Sequence, residues 1–280
     1  MSVKQSTSQT FTCRIVAQGA WGQNFRNWDD LVSLLRGGEF EDDGMKGPKP
    51  EIIPANERRR APLPVRLAVD SSWQATQSSP YDPDELRCVF VSSLGDTQLT
   101  DYMCRALAGE SKMLSPTKFH NSVHNAAAGY WTISTGCMKA ANSIAGYEES
   151  VSLTLLEAMT QVCSENQPVL LTFYDAPVSP VLKCLLKNEQ PFAFSMVLAP
   201  QKDVKADNHN GQSIEMELLE HRVEWPELNV PSLQACYADN PTAKVLSLLS
   251  SIVMVQAKTG ETSSVDMPLS EQTSIRLTVS

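Results

Sequence analysis

Basic residues are in short supply: 23 Lys and Arg stand against 32 Asp and Glu, a formal net charge of −9. A nucleic-acid footprint needs a basic face, so nucleic acid is not expected as a partner. The one basic run, Arg58-Arg59-Arg60, is short, precedes Ala-Pro-Leu-Pro, and reads as a solvated approach to a helix. No stretch of about 18 apolar residues occurs, so neither a transmembrane helix nor a membrane partner is expected. The opening MSVKQSTSQT has no apolar core, which argues against a signal peptide. Cysteines never form a C-x-x-C pair; the seven (Cys13, Cys88, Cys104, Cys137, Cys163, Cys184 and Cys236) are scattered and odd in number. That usage fits a reducing cytoplasm and buried free thiols. Internal repeats and low-complexity tracts are absent as well.

What is present is ordinary soluble material, 42% hydrophobic and 20% charged over 280 residues, enough for one large domain or two small ones. Apolar runs at 11–18, 86–93, 168–175, 191–199, 212–220 and 273–279 read as strands, with shorter β segments at 131–136 and 142–145. Helical patterns fall at 27–37, 62–77, 97–108, 148–163 and 241–251, and a further helix opens at Ser115-Pro116-Thr117. Asn27 or Asp29 caps the first helix and Gly37-Gly38 stops it. Residues 39–57 read as an irregular excursion and 201–211 as a polar loop. Helices alternating with apolar strands predict a layered α/β fold.

Two places invite a chemical reading. In 119-FHNSVHNAAAGYW-131, His120 and His124 stand four residues apart, a spacing that puts two imidazoles on one helical face. A metal site needs a third ligand, and an H-E-x-x-H site needs a glutamate where Asn121 stands. The pair is therefore read as scaffolding, with no metal and no cofactor. In 142-NSIAGYEESV-151 a β segment turns sharply into a helix, an elbow that can aim a side chain at the positive helix end. An enzyme would place Cys or Ser there. Here the tip is Glu148, followed by Glu149 and Ser150. Adjacent carboxylates at a helix start diverge, so Glu148 and Glu149 read as complements to the helix dipole, with Glu148 a hydrogen-bonded interface acid. Asp70, Asp82 and Asp84 read as solvated.

These residues carry a resemblance. Asn125, Ala128-Gly129, Ile133, Gly136 and 144-IAGYE-148 follow, in register and without a gap, the pattern of the β-ketoacyl synthases, the condensing enzymes of fatty-acid and polyketide synthesis. Two positions depart from it: Lys139-Ala140 stands near the usual Gly-Pro, and Glu148 stands where the family has its active-site cysteine. The resemblance covers roughly residues 11–200, is densest over 115–158, and leaves 201–280 as a divergent C-terminal part. It implies a thiolase-like layered α/β fold over 1–280 as a single domain, the N-terminal half of a ketosynthase with a truncated C-terminal part.

The family also carries two histidines, in His-Gly-Thr and Gly-His contexts, that hold the thioester and assist decarboxylation. Here His209 (NHNG) and His221 (EHRVEW) fit neither context. Without thiolate and histidine pair, the resemblance implies no catalytic residue and no condensation. It is closest to the chain length factors, non-catalytic partners that pair with a ketosynthase and shape its acyl tunnel, in particular the short ones of aryl polyene pigment pathways. That implies a heterodimer with a ketosynthase, an acyl carrier protein met mainly through that partner, and a cytoplasmic location. It also places Thr117, Lys118, Phe119, His120, His124, Asn125 and Glu149 at the partner seam or tunnel, with Phe119 as a tunnel-lining side chain. The alternative is a degenerate relative that decarboxylates or hydrolyses malonyl or acyl thioesters through Glu148.

Overall fold

In the computed structural model, which describes residues 10–110, 112–207, 211–258 and 260–280, eight strands form one sheet. They are β1 (Phe11–Gly22), β2 (Arg87–Val91), β3 (Ala141–Ile144), β4 (Val169–Asp175), β5 (Phe192–Pro200), β6 (Gln212–Leu219), β7 (Ser263–Pro268) and β8 (Ser274–Val279), in the order β3-β2-β4-β5-β1-β6-β8-β7. β2 runs parallel to both β3 and β4; every other pairing is antiparallel. The helices are α1 (Trp28–Leu35), α2 (Ala55–Arg58), α3 (Leu63–Gln77), α4 (Thr97–Ala108), α5 (Pro116–His120), α6 (Ala126–Thr135), α7 (Ser150–Glu165), α8 (Val204–Asp207), α9 (Pro231–Asp239) and α10 (Leu246–Ala257). Among the described residues no helix is long and apolar enough to cross a membrane.

The sheet separates two cores, as strand alternation requires. Along β4, Val169, Leu171 and Phe173 face a core built with α1, α7 and α10, while Leu170 and Tyr174 face one built with α3 and α6. β5 divides the same way, Phe192, Phe194, Met196 and Leu198 on the first side and Ala193, Val197 and Ala199 on the second. This is a three-layer α/β/α arrangement, and the central strands read as unbroken apolar runs because both of their faces are covered.

The α3 side is packed through small residues. A Cβ on Gly19 would overlap the backbone of Ser71 and Ala75, so only glycine lets α3 sit this close to β1. Ser71 and Ser72 of α3 meet Ser195 and Thr172 of the sheet at 2.8 Å each, and Ser195 and Thr172 join at 3.0 Å. The hydroxyls satisfy one another, so their burial does not leave orphaned polar atoms.

Several expectations are met within a residue or two: α1 with its Asn27 cap accepting from the Asp30 amide at 2.9 Å, α3, α4, and strands β2, β4, β5, β6 and β8, while β1 starts as expected and runs four residues further, to Gly22. Others are corrected. Residues 131–136 are not a β segment but the end of α6 and its cap, Gly136, with φ of 70°. Their apolar–polar alternation imitated a strand, yet Trp131 is buried and Ile133 is 82% exposed, the pattern of a helix lying on the sheet. The helix expected at 241–251 is a 3₁₀ turn, Pro241–Val245, followed by α10, which runs six residues further to Ala257. α9 and β7 had no counterpart among the predicted elements. The polar loop over 201–211 contains α8, and its residues 208–210, His209 among them, lie outside the described residues.

The seven thiols are free, but only Cys13, Cys88, Cys137 and Cys236 are buried. Cys104, Cys163 and Cys184 are exposed, on the outer side of α4, at the end of α7 and in a turn. Asp70 is not solvated either: it sits inside the α3 layer, takes a 2.9 Å hydrogen bond from Gln74, and burial pushes its carboxyl up to about 6.

Candidate functional site

The elbow after β3 is built as its sequence suggests, by a glycine and a left-handed residue. The Gly146 amide donates to Ser150 Oγ at 2.9 Å, and a Cβ at Gly146 would press on Leu153 Cδ1 at 2.5 Å. Tyr147 takes φ of 51°, uncommon for a non-glycine residue, and the Glu149 amide closes the turn on the Gly146 carbonyl at 3.1 Å. Tyr147–Glu149 form a 3₁₀ turn that runs straight into α7. Both glutamates therefore sit at the positive end of a 16-residue helix.

The two carboxylates part company there. Glu149 turns to Arg222, with Oε1 at 3.1 Å from Nη2. Glu148 is exposed and lines a cleft of about 350 Å³ together with Leu94, Tyr147, Trp225, Asp239 and Lys244. Burial lowers the affinity of the Lys244 ammonium for its proton, against the opposing pull of Glu148 and Asp239. The ammonium also lies 4.3 Å from the centre of the Tyr237 ring. Chemically the cleft offers two amines, Lys187 and Lys244, and two carboxylates, Glu148 and Asp239, and no cysteine or histidine stands among the described residues that line it.

The histidines do not share a helical face. His120 is the last residue of α5, Asn121 caps it, and His124 falls in the turns before α6. The i, i+4 argument presumed one continuous helix, and the break at 121–125 removes it. His124 Nε2 instead lies 3.0 Å from the Ser92 carbonyl, a bond that ties the α5–α6 connection to the end of β2 when Nε2 carries the proton. His120 is exposed. Among the described residues no three His, Cys, Asp or Glu side chains are grouped so as to hold a metal ion.

The remaining candidates lie on the surface around α5. Thr117 and Asn125 are exposed, Asn125 at the start of α6 without a side-chain capping bond. The Lys118 ammonium rests 3.4 Å from the centre of the Tyr102 ring, and Phe119 is 59% exposed. Val123, Ile133 and Met138 are exposed too, on the segments that lead to β3, and β3 is the first strand of the sheet with its outer edge unpaired among the described residues.

Sequence reasoning missed Asp175, Lys244 and Leu94. Asp175 is fully buried at the end of β4 and accepts from Ser92 Oγ at 2.6 Å and from the Ser93 and Leu94 amides at 3.2 Å each. Burial, partly offset by these bonds, pushes it up to about 6. The signal was a single acid closing an apolar run, 169-VLLTFYD-175, just where β4 leaves the sheet.

Comparison with known proteins places this geometry. No curated protein matches the chain. Among solved structures, a ketosynthase (ApeO) in complex with its chain length factor (ApeC) from Xenorhabdus doucetiae matches with a TM-score of 0.65 and 15% identity, covering 95% of this chain and 98% of that one. The ishigamide ketosynthase/chain length factor matches with a TM-score of 0.69 and 12% identity, over 96% and 99%. A type II polyketide synthase acyl-carrier protein in complex with its ketosynthase bound to the hexaketide (AntDE:AntF) matches with a TM-score of 0.74 and 12% identity, over 97% and 99%. At such identities the likeness is one of fold: a thiolase-like, ketosynthase-type layered sheet. The family model described as beta-ketoacyl synthase, N-terminal domain, matches residues 36–245, three quarters of the sequence. The chain belongs to the β-ketoacyl synthase family through that N-terminal domain.

Proposed function

We propose that this chain is a non-catalytic, ketosynthase-like subunit, a chain length factor that pairs with a ketosynthase and helps to shape the space in which its acyl chain grows. The observation that carries this reading is the elbow. Where the resemblance puts the nucleophile of a condensing enzyme, this chain has Glu148, in a cleft lined by lysines and carboxylates. Acyl transfer from a thioester to a carboxylate would form a mixed anhydride, an uphill step, so a glutamate there is a poor substitute for a thiol. Limiting a chain sterically needs bulk at the right depth and no nucleophile at all.

The pairing surface in this reading is β3 with the segments leading to it. An open strand edge and exposed Phe119, Val123, Ile133 and Met138 are the features of a surface that is covered in a complex. Thr117, Lys118, His120, His124 and Asn125 belong to the same stretch, and Glu149 anchors the elbow behind it through Arg222. Two structural neighbours are described as a ketosynthase with a chain length factor, and a third as an acyl-carrier protein in complex with its ketosynthase. We extend that assembly to this chain, with the carrier protein met mainly through the ketosynthase, and we take the product to be a polyene of the aryl polyene type.

Co-expression with a candidate ketosynthase, followed by size-exclusion chromatography, tests the pairing; a chain that elutes alone at every concentration defeats the reading. Intact mass after incubation of the purified chain with acyl carrier thioesters tests the absence of acyl transfer. A second reading has one observation in its favour: Glu148 and Lys244 line the same cleft, an acid and a weakened base near one another. A thioester decarboxylase or hydrolase using them would release carbon dioxide or free acid from malonyl or acyl thioesters without any partner.

A further inference from the structure

Two of the buried thiols meet. Cys88 is the second residue of β2, and Cys137 follows the Gly136 cap of α6, in the turn that leads to β3. The Cys88 amide donates to the Ala140 carbonyl at 2.9 Å, which sets the end of that turn against the start of β2. Both thiols then reach one acceptor. Cys137 Sγ lies 3.3 Å and Cys88 Sγ 3.5 Å from the carbonyl oxygen of Leu86. Among the described residues no other two thiols share an acceptor: Cys163 turns to the Thr12 carbonyl and Cys184 to that of Val181.

A buried cysteine usually does no more than fill space. This pair is set up differently, because its members differ in setting and in charge. Cys88 is held in a strand paired on both sides, by β3 and by β4. Cys137 is the one buried residue of a surface turn, with Gly136 before it and Met138, Lys139 and Ala140 after it all exposed. The hydrogen bond from the Cys88 thiol favours a thiolate on Cys137, and the Lys139 amide adds to this against the cost of burial. The same contact, together with burial, keeps Cys88 protonated. A thiolate beside a protonated thiol is the arrangement in which one sulfur is oxidised and its neighbour resolves it.

We propose that Cys88 and Cys137 form a peroxide-sensitive modification site: they close to a disulfide that ties the α6–β3 turn to β2, and thiol reductants reopen it. This stands apart from the pairing with a ketosynthase. The Cys137 thiolate attacks one oxygen of hydrogen peroxide and the O–O bond breaks. The departing hydroxide takes up the proton that Cys137 gave to solvent and leaves as water, so Cys137 becomes a sulfenic acid. The Cys88 sulfur then attacks the Cys137 sulfur, the S–O bond breaks, and hydroxide leaves as water with the Cys88 proton. Each sulfur has given up one electron, and the peroxide has taken both. A disulfide needs its sulfurs about 2 Å apart, so one side chain must move. Cys137, in a turn with exposed neighbours, is the one able to do so.

The test uses the folded full chain. After incubation with hydrogen peroxide the remaining thiols are capped with N-ethylmaleimide, and chymotryptic peptides are read by mass spectrometry. Cleavage after Phe90, Leu99 or Tyr102 separates Cys88 from Cys104. The Cys88 and Cys137 peptides are expected to appear linked, lighter by two hydrogens than their sum, and to separate on adding dithiothreitol. In Cys88→Ser, Cys137 is expected to stop at the sulfenic acid, trapped by dimedone. In Cys137→Ser, oxidation at Cys88 is expected to slow at least ten-fold; oxidation there at the wild-type rate overturns the assigned order of attack. Amide exchange over residues 136–140 is expected to be at least three-fold slower in the oxidised chain, with β4 and β5 unchanged. A wild-type map in which peroxide leaves Cys88 and Cys137 unlinked, or links other cysteines instead, overturns the site. Linkage without slower exchange overturns the tie to the turn. The wild-type map decides even where a serine variant fails to fold.

Discussion

The two central strands and the stretch from Pro116 to Glu149 treat their apolar side chains in opposite ways. Every residue of β4 and β5 is buried. Along the second stretch Phe119, Val123, Ile133, Met138 and Tyr147 stand 49 to 94% exposed. The first region is where folding free energy is gathered, since apolar area removed from water is the main favourable term. The second buries Trp131, Ala127 and Ala128 against the sheet but leaves these five side chains in water. In the proposed pairing, stability and association fall to different parts of one sheet, its centre and its β3 end.

That division is sharpest for two phenylalanines. Phe173, fully buried between α7 and β5, should cost about 3–5 kcal/mol when replaced by alanine. Phe119→Ala should stay within about 0.5 kcal/mol. Urea unfolding of both variants checks this, and equal losses would break the comparison. Gly19→Ala belongs with Phe173: pushing α3 off β1 should cost about 1–3 kcal/mol, read in the same experiment.

Asp175 gives the central region a pH dependence. Its carboxyl is raised from 3.8 to about 6 by burial, so the folded state holds the proton longer than the unfolded chain does. Its contribution to stability is therefore fullest below the unfolded value and is lost as pH rises through about 6, by on the order of 3 kcal/mol at most. The Cys236 thiol facing it, itself pushed up to about 12, stays neutral across that window. Relative to wild type, Asp175→Asn should gain stability between pH 4 and pH 7, measured as the difference in unfolding free energy. A difference that is flat with pH would mean that the carboxylate is ionised at no cost.

At the β3 end the expected effect is on partnership. Ile133→Glu combined with Met138→Glu should leave the unfolding midpoint of the isolated chain within error, because both side chains already face water. The same pair should abolish co-elution with a ketosynthase. A folded double variant that still pairs would move the interface elsewhere.

The centre of the molecule was legible in the sequence because strand and helix periods are imposed by burial, and β4, β5, α3 and α7 are the best-buried elements. The β3 end was read less well for the same reason. Residues 131–136 alternate without being a strand, since their exposed side answers to no core of this chain. His120 and His124 look like a helical pair only if the helix continues, and the Ser115–Asn125 stretch breaks instead into a short helix and turns. Asp175, Leu94 and Lys244 are functional candidates by virtue of tertiary contacts, from Ser92 and from Glu148, that no spacing announces. Glu148 alone was found by pattern, because the elbow that displays it is a local device.

The smallest expected effect falls on Glu148 itself. Glu149 is ion-paired with Arg222, whereas Glu148 stands in the cleft and acts on Lys244 through space. At the start of α7 a carboxylate contributes roughly 0.3–1 kcal/mol through the helix dipole, so Glu148→Ala should cost no more than that. Its removal also withdraws a charge that favours the Lys244 ammonium, so the amine should become more easily deprotonated and react faster with acetic anhydride near neutral pH. Mass spectrometry of the labelled lysine reads that change directly. In a reconstituted pair, product should still form from the Glu148→Ala variant at the wild-type chain length. Loss of all turnover with the complex intact by size exclusion would make Glu148 catalytic and overturn the proposed tunnel-shaping role.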